Sequence, residues 1–203
     1  TMSGGQIIVG GSGSVSSNTV SGGTLIVSSG VASYDTISSG GAEVVLSGAN
    51  VQEETFLSGG TLTVSSGGIS FNHVLSGGTE TVLHGGLVAS ETILSGGTLD
   101  VAGGQVNSAT VAGGRIIVES SGTAWKTIVS SGTLIVSKGV AYADTISSGG
   151  TVTVLSRGNV QQETLLSGGR IVVSSGGVSF NNVLSGGTET VLSSALVQSE
   201  KLL

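Results

Sequence analysis

The chain of 203 residues contains no proline and no cysteine, and few of its side chains are aromatic or charged. The lack of cysteine excludes disulfide bonds and thiol chemistry, although it does not by itself identify the compartment. Aromatic residues make up 3% of the sequence and charged residues 9%, which is too little bulk for a thick globular core. Val, Ile and Leu nevertheless recur regularly, which argues against disorder. We therefore expect a folded chain around a thin core.

Basic residues and long apolar runs are also scarce. Six Lys and Arg stand against twelve Asp and Glu, for a net charge of −6, and the basic residues are scattered. Phosphate contacts need clustered basic side chains, so nucleic acid is not expected as a partner. No segment approaches the roughly 20 apolar residues of a membrane helix, and the first residues do not resemble a signal peptide. We expect no membrane insertion by this chain.

Glycine is abundant, with 37 residues, and most of it belongs to an internal repeat. The segment SGGTETVL occurs at 76–83 and again at 185–192, and variants of it lie between and before these copies. Such a period must be identified before any local motif, because it determines the fold. Taking one glycine of each copy as a marker, successive markers are 17 to 19 residues apart: Gly5, Gly23, Gly41, Gly60, Gly78, Gly97, Gly114, Gly132, Gly150, Gly169 and Gly187.

The fourth residue after each marker glycine is valine in all eleven copies, from Val9 to Val191. A β-branched residue at one point of an 18-residue unit is typical of a parallel β-solenoid, in which stacked coils place each valine above the previous one. Paired helices would need longer units without glycine pairs. The repeat therefore predicts an all-β fold, with residues 1–203 forming one solenoid domain of ten to eleven coils of 18–19 residues. At ~4.8 Å per coil, the rod would be on the order of 50 Å long.

Each unit reads as a strand of about four residues, a Ser/Gly turn, a second segment ending in Thr and an aliphatic pair, and a glycine-containing turn. Residues 24–27, 28–30 and 36–37 are one example. Units of the form T-L-x-V-S tend to alternate with T-E-x-V-L, so that Leu follows Val where Glu replaces the first Leu. We interpret this exchange as conserving buried volume. The face occupied by Glu43, Glu80 and Glu189 stays open at this point.

The sequence also contains a second repeat that is longer than one coil. Residues 24–94 match 133–203 at a shift of 109, with about 50 of 71 positions identical. A block of coils has therefore been copied, and residues 1–94 and 110–203 are expected to be related by duplication.

The repeat S-G-G-T-x-x-V-x-S-G-G-x-x-x-x-T-x-x resembles the 19-residue repeats in the passenger domains of self-associating autotransporter adhesins, the group that includes AIDA-I, TibA and antigen 43. The resemblance covers the whole chain. It implies a right-handed parallel β-helix, with a single strand path, that is displayed on the surface of a Gram-negative bacterium or secreted. The implied partners are like passenger molecules on neighbouring cells and a host surface. The chain would be a passenger fragment, since it has neither a signal peptide nor a C-terminal barrel.

In several members the family also implies O-glycosylation by a dedicated heptosyltransferase, which favours an acceptor in a short turn between two short strands. A hydroxyl at a glycine-flanked turn is exposed and free to carry bulk. Turn serines also have a purely local role, because they hydrogen-bond to the backbone. The candidate acceptors are the paired serines after the valine strand: Ser28, Ser29, Ser65, Ser66, Ser174 and Ser175.

No set of residues predicts catalysis, a cofactor or a metal site, so we expect a non-enzyme. Polysaccharide-cleaving β-helices need carboxylates and basic groups gathered on one face. His73 and His84 fall at different points of adjacent coils, which disfavours a metal site built from the two histidines. Five acids recur just before the Thr-aliphatic pair, and we interpret this column as a solvated acidic edge: Asp35, Glu54, Glu91, Asp144 and Glu163.

Two other solenoid classes are weighed. A left-handed hexapeptide acyltransferase also has an 18-residue coil, but stepping by six from Val27 gives Ser33 and Ser39 instead of aliphatic residues. An ice-binding or purely structural solenoid is the alternative function, because Thr-x-Thr pairs on flat faces order water. Asp100, Arg115 and Arg170 break that array. The Thr-x-Thr pairs are Thr61/Thr63, Thr79/Thr81, Thr151/Thr153 and Thr188/Thr190.

Trp125 and Lys126 interrupt the pattern of small residues once. We expect Trp125 to cover apolar surface at a corner of its coil, and a surface contact is the other interpretation.

Overall fold

Each repeat forms one coil of a parallel β-solenoid in the computed structural model, which describes residues 1 to 203 and contains strands but no helices. No helix able to span a membrane is present. Eleven coils stack, and each contributes three strand segments, which we call faces A, B and C. The predicted all-β solenoid with coils of about 18 residues is confirmed.

Face A carries the valine that recurs in every coil. Its strands are Met2–Gly10, Thr19–Ser28, Gly41–Val45, Thr61–Val64, Thr79–Leu83, Thr98–Ala102, Thr110–Glu119, Ile128–Val136, Gly150–Val154, Arg170–Val173 and Thr188–Val191.

Face B forms a separate sheet of eleven three-residue strands. They are Ser14–Ser16, Val31–Ser33, Asn50–Gln52, Ile69–Phe71, Leu87–Ala89, Gln105–Asn107, Thr123–Trp125, Val140–Tyr142, Asn159–Gln161, Val178–Phe180 and Leu196–Gln198.

Face C precedes the next marker glycine and belongs to the same sheet as face A. In three coils it runs without a break into Thr19–Ser28, Thr110–Glu119 or Ile128–Val136 of face A. The remaining face C strands are Thr36–Ile37, Thr55–Leu57, Val74–Ser76, Thr92–Leu94, Thr145–Ile146, Thr164–Leu165, Val183–Leu184 and Lys201–Leu202.

Successive coils pair in parallel with equivalent residues opposite one another. Val82, for example, lies between Val64 of the preceding coil and Val101 of the following coil. The valines of the first ten coils are at most 5% exposed, which confirms the predicted interior column. Val191 of the last coil is 49% exposed. This pairing explains why the sequence contains no proline, because proline has no N–H to donate to the next coil.

The glycine pair allows the chain to turn tightly between faces C and A. In the pair Gly149–Gly150 the first glycine has φ +87°, a conformation that favours glycine. The second has no room for a side chain, because a Cβ there would collide with the carbonyl oxygen of Val129 in the preceding coil. The N–H of Gly150 donates to the Ser147 carbonyl at 2.8 Å and closes the turn.

Candidate functional site

The turns after Val64 and Val173 place two serines next to two glycines at the surface of the rod. Ser65 and Ser174 are half-buried, whereas Ser66 and Ser175 are exposed. Each turn is closed across the serine pair: the Gly68 N–H donates to the Ser65 carbonyl at 2.9 Å, and the duplicate turn has the same 2.9 Å bond. The second serine of each pair is therefore the more accessible hydroxyl.

Glycine in the next coil keeps one of these hydroxyls uncovered. A Cβ added at Gly85 would lie 2.6 Å from Ser66 Oγ, so any side chain at that position would press on the hydroxyl. The local chain therefore leaves the Ser66 hydroxyl open to solvent.

The turn at Ser28 and Ser29 is different, because it has one glycine fewer. Ser28 ends its strand and is half-buried, while Ser29 is exposed with φ +67°. The Ser29 hydroxyl donates to its neighbour's carbonyl at 2.5 Å and accepts the N–H of Gly11 at 3.2 Å. Ser29 Oγ is thus engaged by the preceding coil.

The outer side of face A carries threonines in register. Thr61 pairs with Thr79, and Thr63 with Thr81. The first column continues through Thr98 and then meets Arg115, whose Nε donates to Thr98 Oγ1 at 3.1 Å. The second column continues through Asp100 and isoleucines. The regular threonine array is therefore only two coils deep at this point.

Trp125 lies at the outer end of a face B strand and is 46% exposed. Its ring meets the ring of Tyr142 from the next coil edge-on, with 6.4 Å between centroids. The ammonium group of Lys126 lies 4.9 Å from the Trp125 ring centroid. Trp125 thus stands beside a corner, as expected, but it forms an exposed aromatic patch with Tyr142.

The acidic column is buried, so the expectation of a solvated edge is wrong. It belongs to a column of eleven residues, which we call the corner column, that turns inward between faces B and C. The five acids of the predicted edge are at most 1% exposed, and Glu200, the sixth acid of the corner column, is half-buried. The members are Asn18, Asp35, Glu54, His73, Glu91, Ala109, Thr127, Asp144, Glu163, Asn182 and Glu200.

Backbone geometry explains why polar residues turn inward here. The residue before each member has a positive φ, for example Ala143 at +58°. This sharp corner leaves the N–H of the corner residue directed at the next coil, and in six corners a side chain there accepts it. The Thr127 N–H donates to Asp144 Oδ1 at 2.6 Å, and the Asp144 N–H in turn donates to Glu163 Oε2 at 2.8 Å. Four of the five acids therefore satisfy buried backbone donors, which would otherwise cost free energy, whereas both carboxylate oxygens of Glu54 lack a partner.

Burial changes the proton affinity of these acids. Loss of hydration raises the pKa of Asp144 to about 8, against a partly opposing effect of the Thr127 N–H bond. Burial, and then the neighbouring Asp144, raise the pKa of Glu163 well above its ordinary value. Burial raises the pKa of Glu54 to about 8, with Asp35 adding to the effect. Burial therefore favours the protonated form of these carboxyl groups.

Glu43 and Glu80 of face A also point inward and are at most 1% exposed, while Glu189 is half-buried. The proposed exchange of volume with the following leucine is wrong, because Leu83 faces outward and is 39% exposed. Space for two of these glutamates comes instead from face B. The small residue Ser70 donates to Glu80 Oε1 at 2.9 Å, and Ser179 donates to Glu189 at 2.6 Å.

His73, Glu80 and Glu91 meet inside the rod. One nitrogen of His73 and one carboxylate oxygen of each glutamate lie within 4.8 Å of one another. The Glu91 carboxylate accepts a hydrogen bond from the backbone N–H of His73 at 2.6 Å, and Ser70 Oγ lies 3.2 Å from the ring nitrogen Nδ1 of His73. His84, the other histidine, is exposed and is not part of this cluster.

Sequence reasoning missed this cluster because its members come from different faces and successive coils. A signal for the inward column was nevertheless present. None of the six basic residues occupies the corner column, although hydrogen-bond acceptors dominate it. A solvated edge would tolerate lysine and arginine, whereas a row that accepts buried N–H groups would not.

Comparisons with known proteins find matches among solved structures. No family model matches the chain, and no curated protein matches it. Among solved structures, the chain is similar to the crystal structure of a TibA fragment, residues 55–350, hyper-glycosylated by TibC catalysis. The identity is 26%, the similarity covers 98% of this chain and 100% of that chain, and the TM-score is 0.43.

Proposed function

We propose that this solenoid is an adhesive passenger of the autotransporter type, displayed on or released from the bacterial surface, and that it is not an enzyme. It would contact like molecules on neighbouring cells or a host surface through the side of a right-handed rod. A heptosyltransferase would modify serines in its turns. The observation that carries this proposal is the exposed Ser-Ser-Gly-Gly turn, held at the edge of a regular coil.

Two features support the adhesive part. The repeat phrase resembles that of the autotransporter passengers, and the coils present serine, threonine and other outward residues along one long side. Each contact between such polar surfaces is weak, but many coils on many molecules add up through multivalency. Since the interior columns fix the coil spacing, the surface groups are presented at a constant repeat.

Display on bacteria tests adhesion directly. Cells that display the rod should settle faster than cells that display an unrelated passenger, and mixing with cells lacking the rod separates self-association from attachment to other surfaces. Binding to host cells should be measured on the same strains. Equal settling together with equal host binding would contradict the proposal.

Intact-mass measurement tests modification. Co-expression with a heptosyltransferase active on a known acceptor should add whole heptose units to the 19.6 kDa chain. Replacement of Ser66 or Ser175 by alanine should remove units. Replacement of the half-buried Ser65 or Ser174 is the matched control and should remove fewer. An unmodified mass, or sugars mapped outside these turns, would contradict the choice of acceptors.

Ice binding is the second candidate, because Thr61, Thr63, Thr79 and Thr81 stand in register on face A. Thermal hysteresis of the purified chain decides it. A measurable freezing gap that Thr79→Leu abolishes would favour ice binding over adhesion.

A further inference from the structure

We propose that His73, Glu80 and Glu91 form an interior binding site for one divalent transition-metal cation, with Zn²⁺ as the representative ion. The site would lie between faces A, B and C of successive coils. It would be additional to any adhesive role of the outer surface.

The three side chains offer free ligand atoms in a closed space. His73 and Glu80 are 0% exposed, and Glu91 is 1% exposed. Each retains one buried polar atom without a hydrogen-bond partner: Nε2 of His73, Oε2 of Glu80 and Oε1 of Glu91. Unpartnered buried oxygens also occur elsewhere in the rod, for example Oδ2 of Asp144 and Oε1 of Glu163, but only here does a histidine nitrogen lie among them, and this combination points to a missing ligand.

The hydrogen bonds of Ser70 leave His73 in a form that binds metal. With Glu80 ionised, as a metal ligand is, Ser70 donates its proton to Glu80 Oε1, and Nδ1–H of His73, 3.2 Å from Ser70 Oγ, donates to the serine oxygen. In that tautomer Nε2 has a free lone pair. Metal-binding histidines are commonly held in this way through the other ring nitrogen.

Charge balance also favours a dication. Two carboxylates and a neutral imidazole carry two negative charges, which balance the two positive charges of one divalent cation inside the rod.

The donor set selects the type of cation. One nitrogen and two carboxylate oxygens suit Zn²⁺ and its first-row neighbours, whereas Ca²⁺ and Mg²⁺ prefer oxygen ligands alone. Atoms bound to a tetrahedral Zn²⁺ lie about 3.3 Å apart, given bonds of about 2.0–2.1 Å. The longest separation in the cluster, at most 4.8 Å, would therefore have to shorten by at most about 1.5 Å, and a water molecule would complete the shell.

The duplicated block contains a natural control. At a shift of 109 residues, Ser70, Glu80 and Glu91 recur as Ser179, Glu189 and Glu200, but His73 is replaced by Asn182. There the Asn182 amide donates to Ser179 at 2.6 Å, and the Asn182 N–H donates to Glu200 at 3.0 Å. Asparagine thus fits this position in the same fold without an imidazole ligand.

The test uses the full chain without an affinity tag. Because the site is enclosed, the protein is unfolded and refolded with excess ZnSO₄, passed through gel filtration and analysed for zinc and protein. We expect about one zinc per chain and a melting temperature about 5 °C above that of protein refolded with EDTA. CaCl₂ and MgCl₂ should give neither retention nor a shift.

Two variants make the outcome specific. His73→Asn should retain less than a tenth of the zinc and lose the thermal shift, although its circular dichroism spectrum stays that of the parent. His84→Asn removes the exposed histidine and should keep full binding. Wild-type protein without zinc would overturn the proposal, as would equal zinc in the His73→Asn variant.

Discussion

Asp144→Asn should remove part of the pH dependence of the free energy of unfolding. Asp144 is 0% exposed, and its carboxyl accepts the Thr127 N–H, which an asparagine Oδ1 can also accept. Asn182 already plays that role for Glu163 in the same corner column, at 3.0 Å. The substitution therefore preserves the backbone bond and removes the ability to ionise.

The sign follows from the direction of the pKa shift. Burial raises the folded pKa of Asp144 from 3.8 to about 8. Below pH ~4 both folded and unfolded chains carry the proton, so its contribution to stability is fully present. Between pH ~4 and ~8 the unfolded chain releases the proton first, and stability falls by about 1.4 kcal/mol per pH unit. The loss ends near pH 8, where the folded carboxyl also ionises, and totals on the order of 5 kcal/mol.

The asparagine variant lacks this loss. At pH 4 it should be less stable than the parent by about 1–2 kcal/mol, because its amide N–H groups gain no acceptor. At pH 9 it should be more stable by several kcal/mol. Urea unfolding followed by circular dichroism measures both free energies. Glu53→Gln is the control for loss of one charge, because Glu53 is exposed and Gln162 occupies the equivalent corner. A difference between parent and Asp144→Asn that does not change from pH 4 to 9 would refute the reasoning.

Three further predictions concern the coil itself. Deletion of residues 115–132, one complete coil, should leave a cooperative β-rich protein, whereas Val101→Asp should cost at least about 3 kcal/mol because it buries an unpaired charge; thermal melts compare the two. Gly150→Ala should lower the free energy of unfolding by more than about 2 kcal/mol, because the new Cβ meets the Val129 carbonyl. Gly40→Ala should lower it by about 1 kcal/mol, because Gly40 has open space around it but a φ of +90°. Equal losses for the two variants in urea titrations would contradict this assignment. Native Trp125 fluorescence should be readily quenched by acrylamide, and resistance to quenching would show that its ring is covered.

The period of the sequence predicted the fold because equivalent residues pack in the same way in each of the eleven coils. Val82 needs no distant information, since the residues above and below it are also valine. The interior acids could not be placed in this way. Glu91 and Asp144 look like surface residues until the positive φ of the residue before each turns them inward toward N–H groups of the preceding coil. Strict alternation along the chain fails at that corner, so the sequence pattern alone assigned the wrong side.

The cluster of His73, Glu80 and Glu91 could not be predicted from the sequence. His73 and Glu91 are successive members of one column, but Glu80 enters from another face, and only the closed coil brings the three together. The substitution of His73 by Asn182 in the copied block was visible in the sequence, but its meaning depends on both residues being buried.

The corner column also gives the rod a polarity. Every bond in it from a corner N–H to a side chain runs the same way: the N–H belongs to one coil and the acceptor to the coil that follows, as with Asn18 and Asp35 or Thr127 and Asp144. The two ends of the rod are therefore chemically different, because one ends in a corner N–H and the other in an acceptor. Where the added coil brings a carboxyl, as at Asp144 and Glu163, burial raises its pKa and favours uptake of a proton. Addition of such a coil should thus be more favourable in mildly acidic than in alkaline solution.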